Sequence, residues 1–511
     1  MSSIDLPETS ARSGRAPRPA SVSRTTIRLT VAIVAAAAAV LVGAAPAHAA
    51  PAAPVLRDVV TGGDSIAVLW NPATGTSPKS YTVYRNNIVT ATVAPPPAPN
   101  AYNTRITTTA RYIDTNVVAG QTYQYKVTMT ATDNTVSGFS GTLSATHPLA
   151  ANTTPVPVVT VSTTNAAYTA TLTEGASLIR TWYPKIADRL TRRSADQGSG
   201  PDYLPPSTIT LTHSADANGY AVTSGTTITF KDDSLDDALE TPDPAFHAAY
   251  LAAYLHEATH VLQAYPGRIG AGWLAEGLAV WATHQIFNDA EILTPAFTPI
   301  EYYTRGYEQG ARFLQWLTSG SGVPWTSSAY TRARLVHDAN VAANSGTFTR
   351  AFFLDRTGQR PGPLWSQMAN IWTATDQRVL PADSGTLCLD DQLLKSDDNN
   401  PLQLGTCWST DAQLVSSVPI SSGSNVYRLV IMGKCMDVKG GGTPAEGTAV
   451  VIYTCTEGAD WQYWRFDSDG TLRQNRSNLC VQPTGGVLAN GIALEIRTCT
   501  SQAFRWTRQV L

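Results

Sequence analysis

All six cysteines of this 511-residue chain lie in its last quarter, at Cys388, Cys407, Cys435, Cys455, Cys480 and Cys499. They belong to a repeat. Cys388-Leu389-Asp390, Cys435-Met436-Asp437 and Cys480-Val481-Gln482 each precede a second cysteine, by 19, 20 and 19 positions. A glutamine follows each second cysteine, in Gln413-Leu414-Val415, Gln462-Tyr463-Trp464 and Gln502-Ala503-Phe504. Three units of roughly 40–50 residues without helical spacing imply one β unit copied three times around a shared core. Several pairings of six cysteines are open in principle. The repeat selects one, in which each unit closes its own pair: Cys388–Cys407, Cys435–Cys455 and Cys480–Cys499.

The N-terminus implies export. Arg12, Arg15, Arg18, Arg24 and Arg28 form a basic region, Leu29 to Gly43 is an unbroken apolar run, and Ala47-His48-Ala49 is an A-x-A site. Residues 1–49 therefore read as a signal peptide of bacterial, high-GC appearance, with a secreted, extracellular chain beginning near Ala50. The apolar run is short for a membrane span, so no stable membrane insertion is expected after cleavage. In an exported chain, an even cysteine count confined to one region reads as disulfides. The formal net charge is −3, and the leader holds five of the 36 basic and two of the 39 acidic side chains. The exported part is thus acidic, which argues against nucleic acid as a partner.

One segment carries chemistry. His256-Glu257-Ala258-Thr259-His260 precedes Gly272-Trp273-Leu274-Ala275-Glu276-Gly277. Residues four apart share a helix face, so His256 and His260 can reach one metal ion. Two imidazoles and a carboxylate are a zinc ligand set that leaves a position open for water. Glu276 is the expected third ligand, on a second, antiparallel helix, and Glu257 the expected general base. Asp243-Pro244 followed by Ala245 to Leu255 reads as a capped, apolar helix running into the motif. Buried histidine and glutamate there need partners or a metal.

The remaining chain divides by composition. Residues 53–147 carry alternating runs at Ser65–Trp70, Tyr81–Tyr84 and Thr122–Val127, the pattern of a β-sandwich. Residues 148–157 read as a linker. Residues 158–375 read as α+β: helices at Ala176–Thr191, Trp273–Ile286 and Tyr307–Leu317, strands at Thr208–Thr212 and Thr226–Phe230. By analogy with zinc peptidases, the strand before the metal helix is expected to be a sheet edge that holds extended peptide.

Three resemblances refine this reading. The placement of Trp70, Tyr84, Gly120, Tyr123 and Tyr125 resembles a fibronectin type III domain, which implies a core role for Trp70 and a corner role for Tyr123. The C-x-D and Q-x-W repeats over residues 380–511 resemble the ricin-type β-trefoil lectin domain. The middle segment resembles the basic secretory protein family of plant and bacterial peptidases. The likeness rests on His256–Gln263, Gly272–Ala279, Tyr303–Tyr307, Ala311–Leu314, Thr357-Gly358, Leu364-Trp365 and Gly219–Gly225. The acidic charge departs from that family's basic character, and Val280–Thr283 stands where it tends to carry Asp-Tyr-Val-Arg. The same core is also similar to the zinc aminopeptidase motif, in which W-L-x-E-G supplies the third ligand. That likeness implies a transition-state tyrosine at Tyr307, with Tyr303 as its rival.

Together these imply three modules: a β-sandwich, a zincin-like α+β metallopeptidase domain, and a β-trefoil. The expected activity is Zn²⁺-dependent hydrolysis of a protein or glycoprotein substrate, with the trefoil as a separate module that holds glycans. The lectin resemblance implies a sugar pocket that pairs the C-x-D aspartate with an aromatic platform. The second repeat keeps both, as Asp437 and Tyr453. The first has Asp390 and Gln403 but Gly405 in the platform position, and the third has Gln482 and Arg497. Two other classes stay open: a carbohydrate-binding protein with a vestigial protease fold, and a metal-dependent hydrolase of a non-peptide bond.

Overall fold

The computed structural model describes residues 50–73, 75, 77–96, 110–149, 152–192, 201–240, 244–266, 272–287, 302–319, 333–349, 351–408, 410–500 and 502–511. The expected signal peptide, 1–49, lies outside them, as does the capping residue Asp243. The described chain is β-rich at its N-terminal end, helical in the middle and a sheet domain at its C-terminal end.

Among the described residues the first module has seven strands: β1 (Val55–Gly62), β2 (Ser65–Asn71), β3 (Pro78–Arg85), β4 (Ile88–Val93), β5 (Ala110–Asp114), β6 (Thr122–Ala131) and β7 (Leu143–Thr146). They form two antiparallel sheets, ordered β1-β2-β5 and β4-β3-β6-β7. Alternation along β6 turns Tyr123, Tyr125, Val127 and Met129 inward, where they meet Ile66, Val68 and Trp70 of β2. Trp70 is fully buried. The Tyr123 hydroxyl accepts the Val118 N–H at 2.8 Å and closes a corner.

The middle module is built on a four-stranded sheet. Its strands are β8 (Val158–Val161), β9 (Thr208–Ser214), β10 (Ala221–Ser224) and β11 (Thr227–Lys231), in the order β10-β11-β9-β8. β8, β9 and β11 are parallel, and β10 pairs antiparallel on the outside of β11. The strand that precedes the helices, β11, is therefore internal. The edge on that side is β10, folded outside it by the turn at Gly225, and the other edge is β8, which corrects the expectation from sequence. Parallel β8 and β9 need a crossover, and α1 (Thr169–Thr191) provides it. This helix starts before the expected Ala176, because Thr171 and Leu172 already face the core.

The other helices are α2 (Asp232–Glu240), α3 (Pro244–Gln263), α4 (Gly272–Phe287), α5 (Tyr307–Ser319), α6 (Ala333–Asn344), α7 (Ala351–Thr357) and α8 (Pro361–Ala369). α3 carries His256 and His260 through the middle of the module. Its own Tyr250, Tyr254, Leu255, Ala258, Val261 and Leu262 are buried on several sides, as expected of a helix apolar all round. α4 and α5 meet at Gly277 and Gly310, where a Cβ on either residue would lie about 3 Å from the other's backbone. Side chains at these two positions would push apart the helices that carry Glu276 and Tyr307.

The C-terminal strands run from Thr375–Pro381 to Trp506–Val510, and these two pair with each other. The trefoil thus begins before residue 380, since Thr375–Pro381 also pairs with Val415–Pro419. Its core is Val379, Leu389, Leu404, Leu429, Met436, Ile452, Trp464, Val481, Ile496 and Trp506, among others. The three expected disulfides are present: Cys388–Cys407, Cys435–Cys455 and Cys480–Cys499. Closing a loop of that length stabilises by about 3 kcal/mol in the chain-entropy account. The repeat is visible in the bonding. Trp464 Nε1 donates to Met436 O at 2.8 Å, and Trp506 Nε1 to Val481 O at 3.0 Å.

The modules are not separate bodies on tethers. One continuous apolar cluster includes Val60, Ala67 and Leu69 of the sandwich, the middle-module core, and Val430 and Cys435 of the trefoil. Lys185 of α1 is buried and donates to Gly62 O at 3.2 Å and Ser65 Oγ at 2.8 Å. Burial lowers its pKa to about 8. The expected linker is docked too, for Thr154 Oγ1 donates to Asp188 Oδ1 at 2.9 Å.

Candidate metal centre and sugar subsites

Three acceptor atoms converge between α3 and α4. His256 Nε2 and His260 Nε2 are 3.0 Å apart, and Glu276 Oε2 lies 3.2 Å from the first and 3.4 Å from the second. A tetrahedral ion with bonds of roughly 2.0–2.1 Å holds its donors roughly 3.3 Å apart, so the triangle is zinc-sized. The tautomer of His260 follows from its neighbour. Gln263 Nε2 donates to Ala275 O at 2.9 Å, which turns Oε1 towards His260 Nδ1 at 2.8 Å. Nδ1 therefore carries the proton and Nε2 offers its lone pair. Lone pairs of two imidazoles and a carboxylate cannot face one another at such distances unless a cation or a proton lies between them. The donor set fits Zn²⁺.

Burial acts to lower the His260 pKa, but the Glu276 carboxylate outweighs it and the group rises to about 9. Burial likewise opposes ionisation of Glu276, yet His260 and His256 hold it well below the usual carboxylate range.

Glu257 is fully buried and also approaches the triangle, with an oxygen within 4.8 Å of a nitrogen of each histidine. Glu276 is nonetheless the closer carboxylate, at 3.2 and 3.4 Å from the two nitrogens. Glu257 Oε2 instead accepts from Thr223 Oγ1 of the edge strand β10 at 2.6 Å. Its Oε1 is buried without a hydrogen-bond partner among the described residues. One oxygen is thus anchored and the other is unpaired among the described residues.

The two candidate tyrosines separate. The Tyr307 ring is parallel to His256 within 9°, with centroids 6.1 Å apart. The Tyr303 hydroxyl donates to Asp376 Oδ2 at 2.7 Å in a buried contact with the trefoil. Tyr307 is therefore brought to the centre, while the Tyr303 hydroxyl serves the module junction. A cavity of about 400 Å³ lined by Tyr302, Trp372, Arg428 and Tyr463 also lies at that junction, and no residue of the triangle lines it.

Sequence reasoning overlooked Thr223 and Gln263 as working residues, although both stand in stretches that carry the peptidase likeness. Thr223 is hidden because its contact with Glu257 crosses from strand to helix. Gln263 follows His260 by three positions, a helix-face spacing that could have marked it.

The three repeats differ at the candidate sugar positions. In the second repeat Tyr453 is 39% exposed, and Asp437 on the paired strand is nearly covered, its Oδ2 accepting from Gln462 Nε2 at 2.8 Å. Burial raises the Asp437 pKa. In the first repeat both Asp390 oxygens are taken, by Gln403 Nε2 and Gln413 Nε2, each at 2.9 Å. Its carboxylate lies over Gly405, where a Cβ would come within 2.7–2.8 Å of it. In the third repeat Arg497 pairs with Glu495 at 3.0 Å and no aspartate is present.

No curated protein sequence matches the chain. Among solved structures, the chain is similar to a designed 3-fold symmetric protein, ThreeFoil, at 22% identity over 27% of this chain and 99% of that one, with a TM-score of 0.24. It is similar to the agglutinin from Abrus precatorius at 22% identity over 27% of this chain and 48% of that one, with a TM-score of 0.22. An Fn3-like protein from Clostridium thermocellum matches at 25% identity over 20% of this chain and 96% of that one, with a TM-score of 0.16. Residues 370–506 match the family described as the ricin-type beta-trefoil lectin domain, and with the triple cysteine repeat they make the C-terminal part of this chain a lectin-type trefoil.

Proposed function

We propose that the chain is a secreted zinc-dependent peptidase whose trefoil holds it on glycans of its substrates. The observation that carries the reading is the convergence of His256, His260 and Glu276 on one point with donor separations of 3.0–3.4 Å. A zinc ion held there supplies Lewis-acid polarisation of a carbonyl and a more acidic water. Glu257 Oε1 takes the proton of the attacking water and passes it to the leaving amine, while Thr223 keeps the other oxygen in place. Tyr307 offers a hydroxyl to the developing oxyanion from beside His256. The edge strand β10 presents backbone groups to an extended peptide, next to the base it anchors.

The sandwich is read as a fibronectin type III-like spacer, for which the Tyr123 corner speaks. Export is supported by three disulfides, which persist in oxidising compartments. Glycan binding is assigned to the second repeat, where Tyr453 leaves an aromatic face open for a sugar ring. The test is digestion of casein and of a glycoprotein by the full chain, with and without chelator. Activity lost to chelator and restored by zinc is expected. A zinc-loaded chain that binds glycans but cleaves neither protein overturns the peptidase reading in favour of a lectin with a vestigial site. Cleavage of esters alone would make it a different metal-dependent hydrolase.

A further inference from the structure

We infer that the trefoil is part of the scaffold of the metal centre, with Asp411 as the positioning residue for Glu276; the inference rests on the peptidase reading and deepens it. Asp411 belongs to the first trefoil repeat, yet its Oδ2 accepts the backbone N–H of Trp273 at 3.1 Å, in a buried bond spanning 138 residues of sequence. Trp273 lies in the first turn of α4, and Glu276 follows three residues on, at the start of the next turn. The carboxylate thus holds an N–H at the start of the helix and places negative charge at its positive end. A Cβ on Gly272 would lie 3.0 Å from the same oxygen, so the helix start sits directly against it. Asp411 is itself fixed. Two residues on, Gln413 donates to Asp390 Oδ1 at 2.9 Å and Thr406 O at 2.8 Å, and accepts from Trp408 N at 2.7 Å.

Two more trefoil contacts reach the same place. The turn Met432-Gly433 has φ values of 52° and 74°, and a Cβ on Gly433 would fall 2.2 Å from Arg305 Cβ. The next residue, Gly306, abuts Glu276 so closely that a Cβ there would lie 3.1 Å from Glu276 Cβ. Asp376, 2% exposed, accepts from Tyr302 at 3.0 Å, Tyr303 at 2.7 Å and Ser416 at 2.7 Å. Tyr302, Tyr303, Arg305 and Gly306 form the segment that leads into Tyr307. The trefoil therefore braces the two segments that carry Glu276 and Tyr307. The histidines stand on α3, which packs mainly against α1, α4 and β10, and also against α2, α6 and β11. Glu276 is the ligand whose position depends on the lectin module.

The experiment measures zinc affinity of the full chain by competition with a chromophoric chelator. Asp411→Ala is expected to weaken zinc binding roughly 10-fold, the low end of what losing a group bonded directly to a ligand does, because Asp411 acts on Glu276 through the helix start. Asp411→Asn keeps an acceptor oxygen and should retain most of the affinity. In a Glu276→Gln background, Asp411→Ala should have little further effect, because the two act through one ligand. Intact mass and the thermal transition check that each variant keeps its disulfides and fold. Wild-type affinity in Asp411→Ala overturns the inference, as does an equal loss in the Glu276→Gln background. If the wild-type chain binds no zinc, the peptidase reading fails on its own. Amide exchange over the first turn of α4 then decides the inference: faster exchange in Asp411→Ala than in wild type sustains it, and equal exchange overturns it.

Discussion

His256 Nε2 and Glu276 Oε2 lie 3.2 Å apart although 20 residues of sequence separate them. The close crossing of α3 and α4 brings them together, and Gln263 ties one helix to the other beside them.

One zinc per chain is the expected stoichiometry, held by His256, His260 and Glu276. His260→Ala should abolish stoichiometric zinc after dialysis against a weak chelator. Gln263→Ala should keep one zinc but bind it roughly 10–100-fold less tightly, since His260 loses the acceptor that fixes its tautomer. Elemental analysis with chelator competition reads both. Full zinc in the His260→Ala chain would end the assignment.

Glu257→Gln should leave zinc and fold intact and lower peptide hydrolysis by ~10²–10⁴-fold, the share of a general base. Thr223→Val should act in the same direction but less, because the carboxylate stays and only its anchor is lost. Its effect belongs on kcat rather than KM if Thr223 works through Glu257. Steady-state kinetics on a short unglycosylated peptide separates the cases. Unchanged kcat in Glu257→Gln would rule out the proton-transfer role.

Much of this was legible in the sequence because it rests on local spacing. The i, i+4 histidines lie on one helix face, and the 19-20-19 cysteine spacing pairs within each repeat. The runs of residues 65–70 and 122–127 are strands whose inward residues meet in one core. What was not legible depends on docking between distant segments. Asp411 looks like any turn aspartate until the trefoil is placed against α4. Tyr303 and Tyr307 both suit a functional role by type, and only packing commits one hydroxyl to Asp376 and stacks the other ring on His256. β10 was missed as the sheet edge because a hairpin reverses the order that strands have along the chain.

Glycan binding should reside in the second repeat. Tyr453→Ala is expected to remove most binding on a glycan array without moving the melting temperature, since the ring is 39% exposed. Asp437→Ala should lose binding and also lower the melting temperature, because Gln462 would lose its buried partner. Gln482→Ala should change neither. Full binding in Tyr453→Ala would move the sugar site away from this repeat.

The trefoil should also carry a pH signature at Asp391. This side chain is 1% exposed; its Oδ1 accepts from Asn400 Nδ2 at 2.7 Å, and its Oδ2 has no partner among the described residues. Burial raises its pKa from the ordinary 3.8 to about 7. Between those values the folded chain binds the proton more tightly than the unfolded chain, so stability falls as pH rises. The contribution is complete below about pH 4 and lost as pH rises through about 7. Asp391→Asn keeps the shape and removes the charge. Its melting temperature should match wild type near pH 4 and exceed it by a widening margin up to pH 8, read by calorimetry at matched ionic strength. A constant gap across that range, or a gap that narrows with pH, would mean that Asp391 is ionised in the folded trefoil at little cost.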